Sequence, residues 1–197
     1  MEITAKQVKE LRDQTGAGMM DCKKALTEAK GDIEVAVKVL RESGIAKAVS
    51  KAGRSTSEGA ITSYIHAGDK LGVLVEINCE TDFVARTDQF KRFARDVAMH
   101  IAASSPVCVT REDVDAQMIE KERDIFRNQA LKDGKPEKII DKIVDGKVEK
   151  YYSEIVLMEQ PFVKDTDKSI EDYVKETIGS LGENIQVKRF TRFRLGE

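Results

Sequence analysis

The spacing of apolar residues changes period more than once along this chain, and that alone rules out both a pure helical bundle and a pure sheet. Apolar side chains recur at helical spacing over residues 3–44, alternate between Ile61 and Ile77, and return to helical spacing from Phe90 to Ile101. A period of 3.6 sets one stripe of a helix against a core, and a period of two sets one face of a strand against it, so strands must lie between helices here. Ile61, Ser63 and Ile65 alternate with Thr62, Tyr64 and His66, and beyond the turn residues Gly68-Asp69 the set Leu71, Val73, Val75 and Ile77 alternates again. This predicts a hairpin. Phe90, Phe93, Ala94, Val97, Ala98 and Ile101 then form the stripe of an amphipathic helix that ends before Pro106.

The first helix carries its start signal in full. Thr4 is the N-cap, Gln7 is the capping-box partner three residues on, and Ile3 faces Val8 as a hydrophobic staple. Its stop falls near Thr15-Gly16, a second helix follows Gly18 and ends before Gly31, and a third runs from Asp32 to just before Gly44. Val8, Leu11, Ala25, Leu26, Val35, Val39 and Leu40 make a core too small for much stability, which suits a docking module. Residues 47–58 are small, polar and glycine-rich, the composition of a linker with residual helix at its start. A boundary near Arg54 divides the chain into residues 1–54, module and linker, and residues 55–197, an α+β core.

The second half predicts a charged helix over residues 111–132, a turn at Asp133-Gly134, and a restart with Pro136 at the first helical position, running to about Met158. Gln160-Pro161-Phe162-Val163 breaks the pattern, residues 170–181 resume a helix, and Ile185, Val187, Thr191, Phe193 and Leu195 alternate as a last strand. Three antiparallel strands covered by helices on one side make an α+β fold.

Composition excludes several functions. With 35% charged residues of both signs and a net charge of −2 in 197 residues, the chain is neither a basic polyanion binder throughout nor an acidic disordered tail. Cys22, Cys79 and Cys108 are odd in number and far apart, which suits reduced thiols in a cytoplasm and no metal site. No apolar run approaches the roughly 20 residues that span a membrane. His66 and His100 lie in no nucleophile or metal motif. Gly16-Ala17-Gly18 lacks phosphate-loop spacing and has no strand before it, so it reads as an interhelical turn. Lys188, Arg189, Arg192 and Arg194 interleave with Phe190 and Phe193, but alternation sets Phe193 in the core and leaves a solvated strand face rather than a nucleic-acid platform.

Two segments stand out. EINCETDFVAR, residues 76–86, hands a strand to a helix through Asp82-Phe83. One reading makes Asp82 a cap and Phe83 a core ring; the other makes them an acid and an apolar ring at an exposed corner, able to insert into a partner. Met19-Met20 opens the second helix, where adjacent residues point about 100° apart, so at least one can remain exposed as an adaptable apolar contact.

LRDQTGAGMMDCKKAL, residues 11–26, and EINCETDFVAR resemble the two characteristic segments of the bacterial elongation factor Ts family. GKPEKIIDKIVDGKVEKYYSEIVLMEQPFV and GENIQVKRFTRFRLG extend the resemblance over nearly the whole chain. It implies a guanine-nucleotide exchange factor without covalent chemistry or cofactor, whose partner is the translational GTPase elongation factor Tu. A ubiquitin-associated-like three-helix module would dock through Met19 and Met20, while Thr81, Asp82, Phe83 and Val84 would wedge near the GTPase's magnesium and phosphate site. The chain has room for one core unit, as in short family members, which implies a homodimer. Neither nucleic acid nor membrane is an expected direct partner. The rival from another class is an RNA-binding or ubiquitin-like-binding adaptor.

Overall fold

The computed structural model describes residues 3–197. Three helices come first, α1 (Ala5–Thr15), α2 (Met19–Glu28) and α3 (Ile33–Lys51), followed by strands β1 (Glu58–Ile65) and β2 (Leu71–Cys79). A short helix α4 (Asp82–Ala85), helix α5 (Asp88–Ser104), and the long pair α6 (Ala116–Lys132) and α7 (Glu137–Ile155) follow. β3 (Pro161–Phe162), β4 (Asp165–Ser169), α8 (Ile170–Leu181) and β5 (Ile185–Arg194) complete the chain. The main sheet has the order β1-β2-β5. β5 runs antiparallel to β2: Asn184 N–H, before its start, donates to the Glu80 carboxylate beyond the end of β2, and Leu195 N–H donates to Lys70 O before the start of β2. The fold is α+β, as the changes of period require.

The chain forms two compact units. One unit takes the described chain up to Thr62 together with Glu76–Asp96 and Asp172–Lys188; the other takes Ser63–Val75, Val97–Glu171 and Arg189–Glu197. In the first unit α1 begins on the predicted capping box, with Thr4 and Gln7 bonding each other's backbone N–H groups, and stops at Gly16, whose φ of 69° is the left-handed conformation. Val8, Leu11, Cys22, Ala25, Leu26, Ala29 and Ala36 fill the space between α1, α2 and α3. Val35, expected in this core, is exposed instead.

α3 corrects a second expectation: it runs through Gly44 to Lys51 rather than stopping there. The stop signal of a glycine is local, and packing overrides it. Gly179 of α8 lies so close that a Cβ on it would come within 2.7 Å of the Gly44 Cα. Arg41 pairs with Asp172 at 3.3 Å and with Glu176 at 3.5 Å, and the Lys51 ammonium donates to Gly182 O at the far end of the same crossing. These contacts tie α3 to α8 from Arg41 to Lys51, into the start of the stretch that read as a linker. Phe90, Phe93 and Ala94 of α5 are buried, and the Phe93 ring packs on Tyr173 of α8 at 5.1 Å.

The second unit is built around Val97, His100 and Ile101 of α5 and the α6–α7 pair. Ile119, Ala130, Ile140, Val144 and Val148 form the seam of that pair. Arg111 anchors its base, bonding the carboxylates of Glu149 and Glu159 and lying 4.4 Å from the centre of the Tyr152 ring. The charged helix expected from residue 111 is a 3-10 turn at Arg111–Asp113 followed by α6, and Pro136 is the N-cap of α7 rather than its first helical residue. The break at residues 160–163 is a small hairpin of β3 and β4. In β5 the inward alternation changes phase: Ile185 and Val187 are buried, yet it is Arg192 that reaches Ala102 O at the end of α5, so Phe193 is exposed and not in the core.

The glycine crossing makes an asymmetric prediction. Gly179→Ala should destabilise by about 1–3 kcal/mol, because its methyl meets α3 backbone that cannot retreat. Gly44→Ala, whose methyl meets nothing within 4 Å, should stabilise by up to about 1 kcal/mol through helix propensity. Urea unfolding of both variants checks the opposite signs.

Candidate functional site

A strand that ends must dispose of backbone N–H groups that have no ladder partner. β2 ends at Cys79, and within the first unit the next two residues are held by a turn 102 to 104 residues away in sequence. Thr81 N–H donates to Glu183 Oε2 at 2.9 Å, and the Thr81 hydroxyl donates to Glu183 Oε1 at 2.6 Å. In the opposite direction Asn184 N–H donates to Glu80 Oε1 at 2.6 Å. Asn184 also donates through its side chain to Arg54 O at 2.9 Å and to Ala52 O at 3.4 Å. The Asn184 N–H, with Arg54 assisting, holds the Glu80 carboxyl below its ordinary value. The Cys79 thiol donates to Thr81 O at 3.1 Å, and burial, with the charge of Glu183, pushes it above its ordinary value, so it is a packed thiol and not a reactive thiolate.

On this anchor stands α4. Thr81 is its N-cap, accepting from Val84 N–H at 3.4 Å, so the cap is Thr81 and not Asp82. Asp82 is the first helical residue, and its carboxylate lies 2.8 Å from the Arg86 guanidinium one turn on. Thr87 closes the other end: its hydroxyl donates to Val84 O at 2.8 Å and accepts from Phe90 N–H at 3.2 Å, which starts α5. Ala85 turns inward and is buried, Val84 is half-buried, and Phe83 stands out with 78% of its surface exposed. The core-ring reading of Phe83 is thereby corrected. An exposed phenylalanine this large on a hydrogen-bonded corner forgoes about 1.5–3 kcal/mol of burial, which a partner can recover.

Met19 and Met20 are both exposed, at 43% and 77%. They open α2 after Gly18, which supplies no side-chain cap. Their turn is fixed from outside the three helices: Ser180 donates to Gly16 O at 2.8 Å, and Gln89 donates to the same serine hydroxyl at 2.5 Å. Asp21 pairs with Lys47 of α3 at 2.8 Å. Both segments singled out in the sequence are therefore hydrogen-bonded to residues 180–184. Glu183 and Asn184 were not found as site residues by sequence reasoning. Their only signal is a polar pair after Gly182, whose φ is 79°, immediately before an apolar strand.

The second unit offers no comparable chemistry. His100 is buried, its Nδ1 accepting from Val163 N–H at 3.2 Å and its Nε2–H donating to Gln160 Oε1 at 2.9 Å. Gln160 passes its own donors to Glu154 O and Ser104 O. Burial pushes the imidazole below its ordinary value, so it serves as a neutral structural bridge. Among the described residues no three His, Cys, Asp or Glu side chains are placed to hold a metal, and the three cysteines are free. No helix among them is long and apolar enough to cross a membrane.

The fold and these segments define an α+β protein that presents apolar side chains on hydrogen-bonded corners. The sequence profile of the Elongation factor TS family matches residues 2–197. Elongation factor Ts of Geobacter sulfurreducens is 61% identical over 197 residues, covering all of this chain and 91% of that one. The protein of the same name from Koribacter versatilis is 60% identical over 197 residues, and that from Solidesulfovibrio magneticus is 61% identical over 195, covering 90% and 98% of their lengths. The chain belongs to the elongation factor Ts family.

The bridge of His100 carries a pH prediction. The unfolded chain takes up a proton near pH 6.5, the ordinary histidine value, while the folded imidazole does so only at lower pH, so stability is present above that value and is lost as pH falls. Between pH 7 and 5 the urea midpoint should drop, and His100→Gln should flatten the drop. Glu80 acts only below its ordinary 4.5, outside this window. Equal slopes for the two proteins would remove His100 from the account.

Proposed function

We propose that this chain binds the GTPase elongation factor Tu and promotes release of GDP, and thereby exchange for GTP, by inserting Asp82-Phe83 near the magnesium and phosphate site. The observation that carries this reading is the exposure of the Phe83 ring on a corner fixed at both ends by threonines. Membership of the elongation factor Ts family supports it. Helices α1 to α3 act as a ubiquitin-associated-like docking module, with Met19 and Met20 as its adaptable contact. The work is done in the cytoplasm, on a protein surface, with no covalent step, cofactor, nucleic acid or membrane.

The energetics assign the parts. A nucleotide bound near nanomolar is held by about 12 kcal/mol, which contacts made only in the nucleotide-free state must offset. Burying Phe83 supplies about 1.5–3 kcal/mol of that, so the corner acts as trigger and the wider surface carries affinity. Linkage makes the effect mutual: factor and nucleotide weaken each other's binding by one factor, and the direction of exchange follows the nucleotide concentrations.

Phe83→Ala should fold normally, since the ring is exposed, and should slow GDP release about tenfold or more while keeping much of the affinity for the GTPase. Stopped-flow release with a fluorescent GDP checks it, and an unchanged rate refutes the wedge. Added GDP and magnesium should dissociate the complex, whereas an RNA complex would instead dissolve steeply with salt.

The chain works as a homodimer in this reading. Ile65, Leu74, Phe193 and Leu195 are exposed and line one shallow apolar groove on the second unit's part of the sheet, a surface that a second copy can cover. Phe193→Asp should halve the mass seen by sedimentation equilibrium and leave circular dichroism unchanged. A wild-type monomer at micromolar concentration would refute it.

A further inference from the structure

A helix of four residues has no stability of its own, so the direction in which α4 presents Phe83 is decided by what holds its first turn. The usual device is the capping box, in which the side chain at the third helical position reaches back to the N–H of the cap residue. In α4 that third position is Val84, which has no polar group to offer. The cap N–H of Thr81 is taken instead by Glu183, 102 residues away in sequence, and the same carboxylate accepts the Thr81 hydroxyl. That second bond leaves a lone pair of the threonine oxygen directed at Val84 N–H. The box is closed, but by a residue outside the helix.

We propose that Glu183 is the positioning residue of the Asp82-Phe83 segment, supplying from the α8–β5 turn the carboxylate that α4 cannot supply for itself. This deepens the exchange-factor reading and rests on it. The arrangement frees the second and third helical positions for apolar side chains, Phe83 exposed and Val84 half-buried, where an ordinary capping box would spend one on Glu or Gln. It also fixes the corner to the segment that holds the Met19-Met20 turn through Ser180 and the exit of α3 through Asn184. Both carboxylate bonds are charge-assisted, the class whose loss is felt most strongly.

The test measures GDP release from elongation factor Tu across a range of factor concentrations, which separates the maximal rate from the half-saturating concentration. Glu183→Gln should lower the maximal rate about tenfold, the size of one lost charge-assisted hydrogen bond, and move the half-saturating concentration less than about twofold. The double variant Glu183→Gln/Phe83→Ala should be no slower than Phe83→Ala alone, because Glu183 acts through that ring. A normal maximal rate for Glu183→Gln beside a slow Phe83→Ala overturns this proposal alone. A loss confined to affinity overturns it as well, and marks a merely structural residue. A normal Phe83→Ala removes the wedge and this proposal together. If Glu183→Gln does not fold, Glu183→Asp, which keeps the charge and draws the carboxylate back by one methylene from both Thr81 donors, gives the same reading: a lowered maximal rate upholds the proposal and an unchanged one overturns it.

Discussion

Where β2 runs out and β5 begins, two backbone N–H groups stand at strand ends, and each is taken by a carboxylate from the other chain segment. Glu183 accepts from Thr81 and Glu80 accepts from Asn184. Neither bond is an ion pair whose value salt would erase; each satisfies a backbone donor that would otherwise lie unpaired in a half-buried place. Much else in the first unit hangs on this exchange. Asn184 holds the carbonyls that follow α3, Thr81 starts α4, and Ser180 reaches the Gly16 turn. The turn between α8 and β5 thus serves as a common point for segments that are far apart in sequence and that both carry exposed apolar side chains.

In the proposed reading those exposed side chains act without a catalytic constellation. Phe83 and Met20 are more than three-quarters exposed, and the turns that carry them are held by hydrogen bonds to Glu183 and from Ser180. A surface of this kind acts by binding one state of a partner better than another, and its effect is limited by that difference. Rigidity then matters as much as area, since a floppy ring would lose conformational entropy on insertion.

Elements were legible where the signal is local. The Thr4–Gln7 capping box, the Gly68-Asp69 hairpin turn and α8 stand where the sequence puts them, because each depends on neighbours within a few residues. Expectations failed where a distant contact decides. Gly44 reads as a stop and is the place where α8 comes closest, and β4 is a polar five-residue strand with no apolar alternation to reveal it. Phe193 is outward because the strand changes phase, a change that sequence spacing alone does not show. The same reason hid Glu183. Thr81 to Val84 stood out as a motif, while the carboxylate that closes its first turn lies 102 residues further on.

The continuity of α3 gives the segment after Gly44 a mechanical meaning. A flexible tether tolerates gain or loss of a residue, since its reach grows only as a square root of length. A helix does not: each residue adds about 1.5 Å and turns what precedes it by about 100°. Residues 45–51 are helical, so in this chain a change of length there is a rotation, carrying the Met19-Met20 turn away from its serine. The segment is a shaft rather than a cord, and natural selection on it should act on phase before composition.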